Sequence, residues 1–77
     1  MNDEEALSAL SSMANKTRLA IVKALVRAEP RGMTAGQIAA QIDAKPSLAS
    51  FHLSNLSEAG LLTSTKEARE ITYRVDL

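Results

Sequence analysis

The hydrophobic period of the chain changes at Gly60, and this change constrains the fold more than any other feature. Before Gly60, apolar residues recur every three or four positions, which is typical of amphipathic helices. After it, "LLTSTKEAREITYRVDL" alternates, and one candidate face holds Leu62, Ile71, Tyr73 and Val75. The pattern predicts helices followed by two strands. Because residues 66–69 contain no Gly or Asn, we expect a loop of about four residues there and not a tight two-residue turn.

The region before Gly60 divides into four predicted helices. Asn2 or Asp3 caps the first one, and its apolar side consists of Ala6, Leu7, Leu10, Met13 and Ala14. Asn15 is a second candidate N-cap, so we predict that a new helix begins there and ends at Glu29, before a proline. This second helix has a wide apolar stripe and should form the centre of the core, with Leu19, Ile21, Val22, Leu25 and Val26.

Two short helices are predicted after a turn that contains Gly32, which adopts positive φ freely. Thr34 and Gln37 have the spacing of a capping box, which predicts a third helix over "AGQIAAQI". Its inward side is expected to hold Ile38, Ala39 and Ile42. Asp43 ends this helix, since Asp tolerates the left-handed conformation. Pro46 suits the first turn of a fourth helix that runs to Ala59.

Length and composition predict one small domain, residues 1–77. The absence of Cys excludes disulfides, thiolate metal sites and thiol redox chemistry, so association with a second copy is the expected source of further burial. Residues 1–15 carry a charge of −3 and residues 16–77 a charge of +3, and the acidic start suits a helix N-terminus. That start does not resemble a secretory signal, and no apolar run approaches the roughly 20 residues of a membrane span. We therefore expect a cytoplasmic protein without membrane contact.

The fourth predicted helix has two different faces. One is an apolar stripe that should pack against the body of the domain, formed by Ala49, Leu53, Leu56 and Ala59. The other mixes polar, aromatic and apolar side chains, namely Ser47, Leu48, Ser50, Phe51, His52 and Asn55. Two short helices joined by a brief turn and followed by a hairpin form a winged helix-turn-helix, a mainly α fold with a small β-hairpin. In that fold the second helix of the pair enters the major groove of DNA and the wing reaches the adjacent minor groove.

The chain resembles ArsR-type winged helix-turn-helix regulators in three stretches, "MANKTRLAIVKAL", "MTAGQIAAQIDAKPSLASFHLSNLSEAGLL" and the hairpin ending in "ITYRV". They cover residues 13 to about 75 and include the family's Thr17-Arg18 pair. They also include its recognition-helix string, here Ser50, His52, Leu53, Leu56, Ala59, Gly60 and Leu61. The resemblance implies a homodimeric bacterial transcription regulator, a repressor that binds an inverted repeat in double-stranded DNA.

The sequence departs from the family pattern at the positions that sense metals. Many relatives use a Cys-x-Cys pair in the first helix of the helix-turn-helix, and the matching residues here are Thr34 and Gly36, which do not suit a thiophilic metal. Other relatives bind zinc on a C-terminal helix that pairs across the dimer, whereas this sequence ends at Leu77 after the wing. We therefore expect no metal, cofactor or thiol sensor. The first helix, residues 3–14, is the expected dimer contact.

Ten residues are predicted to contact DNA. They lie at the start of the second helix, on the recognition helix and at the wing tip: Arg18, Lys45, Ser47, Leu48, Ser50, Phe51, His52, Asn55, Lys66 and Arg69. Hydroxyl groups can bond to base edges or phosphates, and apolar side chains can meet a thymine methyl. Structural alternatives remain for several of them. His52 can pack beside the helix, Phe51 can join the core, and Arg18 can close a salt bridge within its helix. At the wing, Glu67 and Glu70 can pair with the basic residues.

Enzymatic functions are excluded by the residue inventory. One His, no Cys and no Gly-rich phosphate loop leave no nucleophile–base pair to assemble. A second function class stays open, because winged-helix domains also serve as protein-interaction modules and the zero net charge suits that use. In that case Leu48 and Phe51 would form a docking patch for a partner protein. DNA binding would weaken steeply with salt, whereas such docking would hardly respond.

Overall fold

The computed structural model describes residues 2–76, which form three helices and three strands. In chain order these are α1 (Asp3–Arg27), β1 (Met33–Thr34), α2 (Ala35–Gln41), α3 (Pro46–Glu58), β2 (Leu62–Glu67) and β3 (Glu70–Val75). The predicted fold class, helices followed by a two-stranded wing, is confirmed. The two residues of β1 were not predicted, and they add a third strand to the sheet. Each helix in residues 2–76 is too short or too polar to span a bilayer.

Helix α1 runs without interruption through Asn15, so the predicted second N-cap and the division into two helices are wrong. Asn disfavours a helix interior by less than about 1 kcal/mol, and no Pro or Gly supports a break there. The hydroxyl of Thr17 donates to the carbonyl of Met13 at 3.0 Å, so its bonding capacity is satisfied within the helix. At the N-terminus the predicted cap is confirmed, since the side chain of Asn2 accepts from the backbone N–H of Glu5 at 2.8 Å.

The turn after α1 is held against β3. Gly32 has a φ of 77°, as its sequence context predicts, and its backbone is buried. The guanidinium Nε of Arg74 donates to the carbonyl of Pro30 at 3.0 Å. This contact joins residues 44 positions apart, and β1, which follows the turn, pairs with β3 of the wing.

The ends of the two short helices agree with the sequence analysis. Thr34 Oγ1 accepts from the N–H of Gln37 at 3.2 Å, and Gln37 Oε1 accepts from the N–H of Thr34 at 2.9 Å, so the capping box is confirmed. Asp43 ends α2 with a φ of 54°. Pro46 occupies the first turn of α3, where the missing N–H loses no helical hydrogen bond.

The core forms where all three helices meet the first strand of the wing. Its buried members are Ile21, Leu25, Ile38, Leu53, Leu56 and Leu62. Burying each such side chain contributes about 1.5–3 kcal/mol, so α3 is fixed mainly through its two leucines. The predicted stripe of α1 is only partly correct, because Leu19 and Val26 lie on the outer side of the helix and are mostly exposed. Ala59, predicted in the stripe of α3, is also exposed.

The wing is an antiparallel hairpin in a sheet of order β1-β3-β2. Its ladder continues to the pair Glu67 and Glu70, so Ala68 and Arg69 alone form the turn, and the predicted four-residue loop is wrong. The turn closes without Gly because Ala68 itself adopts a φ of 55°. The predicted inner face is present as a register of Leu62 with Val75, followed along β3 by Tyr73 and Ile71. Only Ile71 is exposed, because the wing tip extends beyond the core.

Candidate nucleic-acid interface

Helix α3 is attached to the body by one buried side. Ala49 and Leu53 are fully buried and Leu56 is nearly so, as the apolar spacing predicts. Because the helical period then directs the intervening residues outward, the opposite side of α3 faces solvent. That exposed side is the candidate recognition surface.

The recognition surface combines hydroxyl groups with two apolar side chains. Ser47 and Ser50 are exposed, Leu48 is 44% exposed and Phe51 is 60% exposed. Asn55 is half-buried at the edge of this surface. Phe51 therefore does not belong to the core, which was the structural alternative, because most of its side chain is exposed to solvent.

One candidate on this surface was missed by the sequence analysis. Ser54 is exposed and follows Ser50 by four residues, so both hydroxyl groups lie along the same side of α3. The spacing was readable from the sequence. Ser54 extends the hydroxyl-bearing strip by one helical turn.

The N-terminal end of α3 is open. Lys45 occupies the N-cap position and its side chain makes no capping hydrogen bond, so the first-turn amides lack a side-chain acceptor. Such amides, together with the positive end of the helix dipole, favour an anion. Residues 44–57 also contain no Asp or Glu. The start of α3 therefore favours an anion, although the carboxylate of Asp43 lies two residues before Lys45.

His52 is placed differently from its neighbours. It is only 4% exposed, and its Nδ1 accepts a hydrogen bond from Nε of Arg18 at 3.2 Å. A guanidinium can only donate, so this hydrogen bond requires Nδ1 to be unprotonated and the ring to be neutral. The edge of the ring meets Phe51, with centroids 5.4 Å apart. His52 thus joins α3 to α1 in this structure, and Arg18 is half-buried beside it. The packing alternative for His52 accounts for this geometry.

Acidic pH is expected to loosen this junction. Burial lowers the pKa of His52 below its ordinary value of 6.5, and the guanidinium of Arg18 lowers it further. Above pH 6.5 the imidazole is neutral in the folded and the unfolded chain. Below it, the unfolded chain binds a proton that the folded chain does not, so the free energy of unfolding falls until the lowered pKa is reached.

Urea unfolding on both sides of pH 6.5 measures this effect. Gln at position 52 still offers an acceptor to Arg18 but does not titrate, so His52→Gln is the matched control. We expect the wild-type chain to lose more stability toward acid pH than the variant does. Equal losses would show that His52 is not the group responsible.

The basic residues of the wing lie at its exposed tip. Lys66 pairs in register with Ile71, and Glu67 pairs with Glu70, so neither basic residue directly faces a carboxylate across the ladder. Arg69 lies in the turn itself and is exposed. In this register, the alternative of a cross-hairpin ion pair would not join directly opposed residues. Both cations remain placed for contact with a polyanion.

Comparisons with known proteins agree with this geometry. A family model described as a helix-turn-helix domain matches residues 13–65. The structure is similar to that of the AntR antimony-specific transcriptional repressor, with a TM-score of 0.74 and 28% identity over 96% of this chain and 65% of that one. It is also similar to NolR from Sinorhizobium fredii, with a TM-score of 0.73 and 30% identity over 100% of this chain and 80% of that one. No curated protein sequence matches the chain.

Proposed function

The chain belongs to the ArsR-type winged helix-turn-helix family of DNA-binding regulators, and on this premise we propose that it is a sequence-specific repressor that binds an inverted-repeat operator as a homodimer. The observation that carries the proposal is the exposed side of α3. It presents hydroxyl and apolar side chains, while the opposite side of the same helix is anchored in the core.

Base readout is assigned to the outer side of α3. With α3 in the major groove, the hydroxyls of Ser47 and Ser50 bond to base edges, and Leu48 and Phe51 meet thymine methyl groups. Asn55 at the edge of the surface can form a bidentate pair with adenine. His52 lies on the buried side of α3, where the hydrogen bond from Arg18 holds it and so supports the recognition surface.

Phosphate contacts are assigned to the basic residues on either side of α3. Lys45 lies at its N-terminal end, while Lys66 and Arg69 lie at the wing tip, which reaches the adjacent minor groove. These contacts set the position of the helix on the duplex and carry no base specificity.

The homodimer is assigned to the N-terminal half of α1. Leu7, Leu10 and Met13 are mostly exposed, and they lie along a helix in a molecule that extends 46 × 24 × 20 Å. An apolar row of this kind favours burial against a second copy. The two recognition helices would then reach half-sites about one helical turn of DNA apart.

Sensing of antimony or a similar metal is not part of the proposal. AntR is antimony-specific by name, and soft metals of that kind prefer thiolate ligands. The 77 residues contain no Cys. The hydroxyl of Thr34, at one family sensor position, already serves in the capping box of α2. We assign repression to promoter occupancy without a metal or thiol switch.

Salt dependence of DNA binding tests the proposed function. We expect the purified chain to bind a labelled duplex from the region upstream of its own gene, with two protomers per site. Lys45→Ala and Arg69→Ala should each lower the slope of log K against log salt by about 0.9 per contact, because one phosphate contact is lost. Fluorescence anisotropy at several salt concentrations measures both quantities.

Lys23→Ala is the control, since Lys23 is an exposed cation on α1 outside the assigned contacts. Its slope should equal that of the wild-type chain. An unchanged slope in both Lys45→Ala and Arg69→Ala would show that the assigned docking face is wrong.

A protein-docking function is the second candidate, and the exposure of Leu48 and Phe51 favours it. In that case the chain would bind DNA no better than a non-specific level at low salt. The affinity for its partner would hardly change with salt.

A further inference from the structure

A groove of about 480 Å³ lies where α1 passes the turn between α2 and α3. Lys16 and Thr17 line it from α1, while Asp43, Lys45 and Leu48 line it from the turn and the start of α3. Lys45 and Leu48 also belong to the surface assigned to DNA. The groove therefore opens beside the N-terminal end of the recognition helix.

Three consecutive polar residues of α1 have different roles, and of Lys16, Thr17 and Arg18 only the first two line the groove. The hydroxyl of Thr17 donates to the carbonyl of Met13, and the guanidinium of Arg18 donates to His52. Lys16 is exposed and lines the groove together with Lys45. Two lysine residues that are distant in sequence thus line one groove.

When α3 lies in the major groove, the phosphate backbone of the duplex passes near one end of the helix, and contacts to that backbone set the position of the helix. We propose that this groove is a seat for a DNA phosphate and that Lys16 binds it together with Lys45. The inference rests on the DNA-binding function proposed above. It adds Lys16 to the contact surface, where Arg18 was the only residue of α1 predicted to contact DNA.

A substitution at Asp43 tests whether a phosphate binds in this groove. Its carboxylate lines the same groove and repels a phosphate there. Its φ of 54° is one that Asn adopts as readily as Asp, so Asp43→Asn removes the charge while keeping the turn. The competing explanation is that Lys16 only neutralises Asp43.

The experiment compares Lys16→Ala, Asp43→Asn and Lys23→Ala by anisotropy on the same labelled duplex across a range of salt. Lys23 carries the same charge as Lys16 and lies on the same helix, two turns further along. Because it does not line the groove, Lys23→Ala is the matched control. We expect Lys16→Ala to lower the salt slope by about 0.9 per protomer. Asp43→Asn should raise the affinity several-fold, and Lys16→Arg should retain the wild-type slope.

The outcomes distinguish a failure of the phosphate site from a failure of the proposed DNA-binding function. If the wild-type chain binds with salt-sensitive affinity but Lys16→Ala has the slope of Lys23→Ala, the phosphate seat is wrong and the DNA-binding function stands. If Asp43→Asn does not strengthen binding, the seat is also rejected. A wild-type chain without salt-sensitive binding overturns both.

Discussion

Replacing Gly32 by Ala is expected to destabilise the protein strongly. A Cβ at this position would lie 2.6 Å from the backbone carbonyl oxygen of Tyr73 and 2.8 Å from Cγ of Arg74. The carbonyl belongs to β3 and cannot move without breaking the sheet. The φ of 77° adds strain of about 1 kcal/mol for a residue with a side chain. A total loss above about 3 kcal/mol is a large fraction of the roughly 4–12 kcal/mol expected for a domain of this size.

Substitutions at the other two glycines separate the steric cause of this loss of stability from the backbone strain. Gly60 also has a positive φ, of 80°, but open space surrounds its Cβ position, so Gly60→Ala should cost about 1 kcal/mol. Gly36 lies in α2 with open space and no unusual φ, so Gly36→Ala should stabilise the protein by up to about 1 kcal/mol. Urea unfolding of the three variants measures the series. A loss in Gly32→Ala no greater than that in Gly60→Ala would refute the steric argument.

Truncation of Leu53 to Ala is expected to remove both stability and DNA binding. Leu53 is fully buried in the cluster that also contains Ile21 and Leu25, so its loss leaves a cavity between α3 and α1. Such changes cost about 2–5 kcal/mol. Because the same residue anchors the recognition helix, the exposed serines would no longer hold a fixed orientation. Thermal unfolding and duplex binding measure the two effects.

Leu61→Ala and Leu53→Met are the controls for this prediction. Leu61 is 54% exposed, so truncating it should change stability by no more than about 0.5 kcal/mol. Leu53→Met keeps the volume and should cost less than about 1.5 kcal/mol while retaining DNA binding. Full duplex affinity in a folded Leu53→Ala variant would show that the core contact does not orient α3.

Most of the candidate site could be read from the sequence because helical spacing alone separates the two sides of α3. Phe51 is exposed, as its position two residues before the buried Leu53 implies, and Ser47 and Ser50 are exposed as well. His52 could not be placed in this way, since its burial depends on Arg18, which lies 34 positions away. The groove at Lys16 likewise arises from the approach of two elements distant in sequence.

Local signals determined several of the helix ends by themselves, although α1 ends at Arg27 and not at the predicted Glu29. The capping box of Thr34 and Gln37, the cap at Asn2 and the positive φ at Gly32 and Asp43 each depend on a few consecutive residues, so the sequence alone specifies them. The alternation after Gly60 likewise specified which side of the wing packs inward, because side chains alternate strictly along a strand.

Tertiary structure alone decided the features that join distant segments or override weak local preferences. Asn15 remains inside a continuous α1 because a weak local preference for a cap does not break a helix anchored by its buried residues. Strand β1 exists only because β3 pairs with it. The two-residue turn follows from a ladder that continues to Glu67 and Glu70, which places Ala68 in a conformation that its own sequence disfavours. Pairing of the strands stabilises the fold by more than the strain at Ala68 costs, and the local sequence does not show this difference.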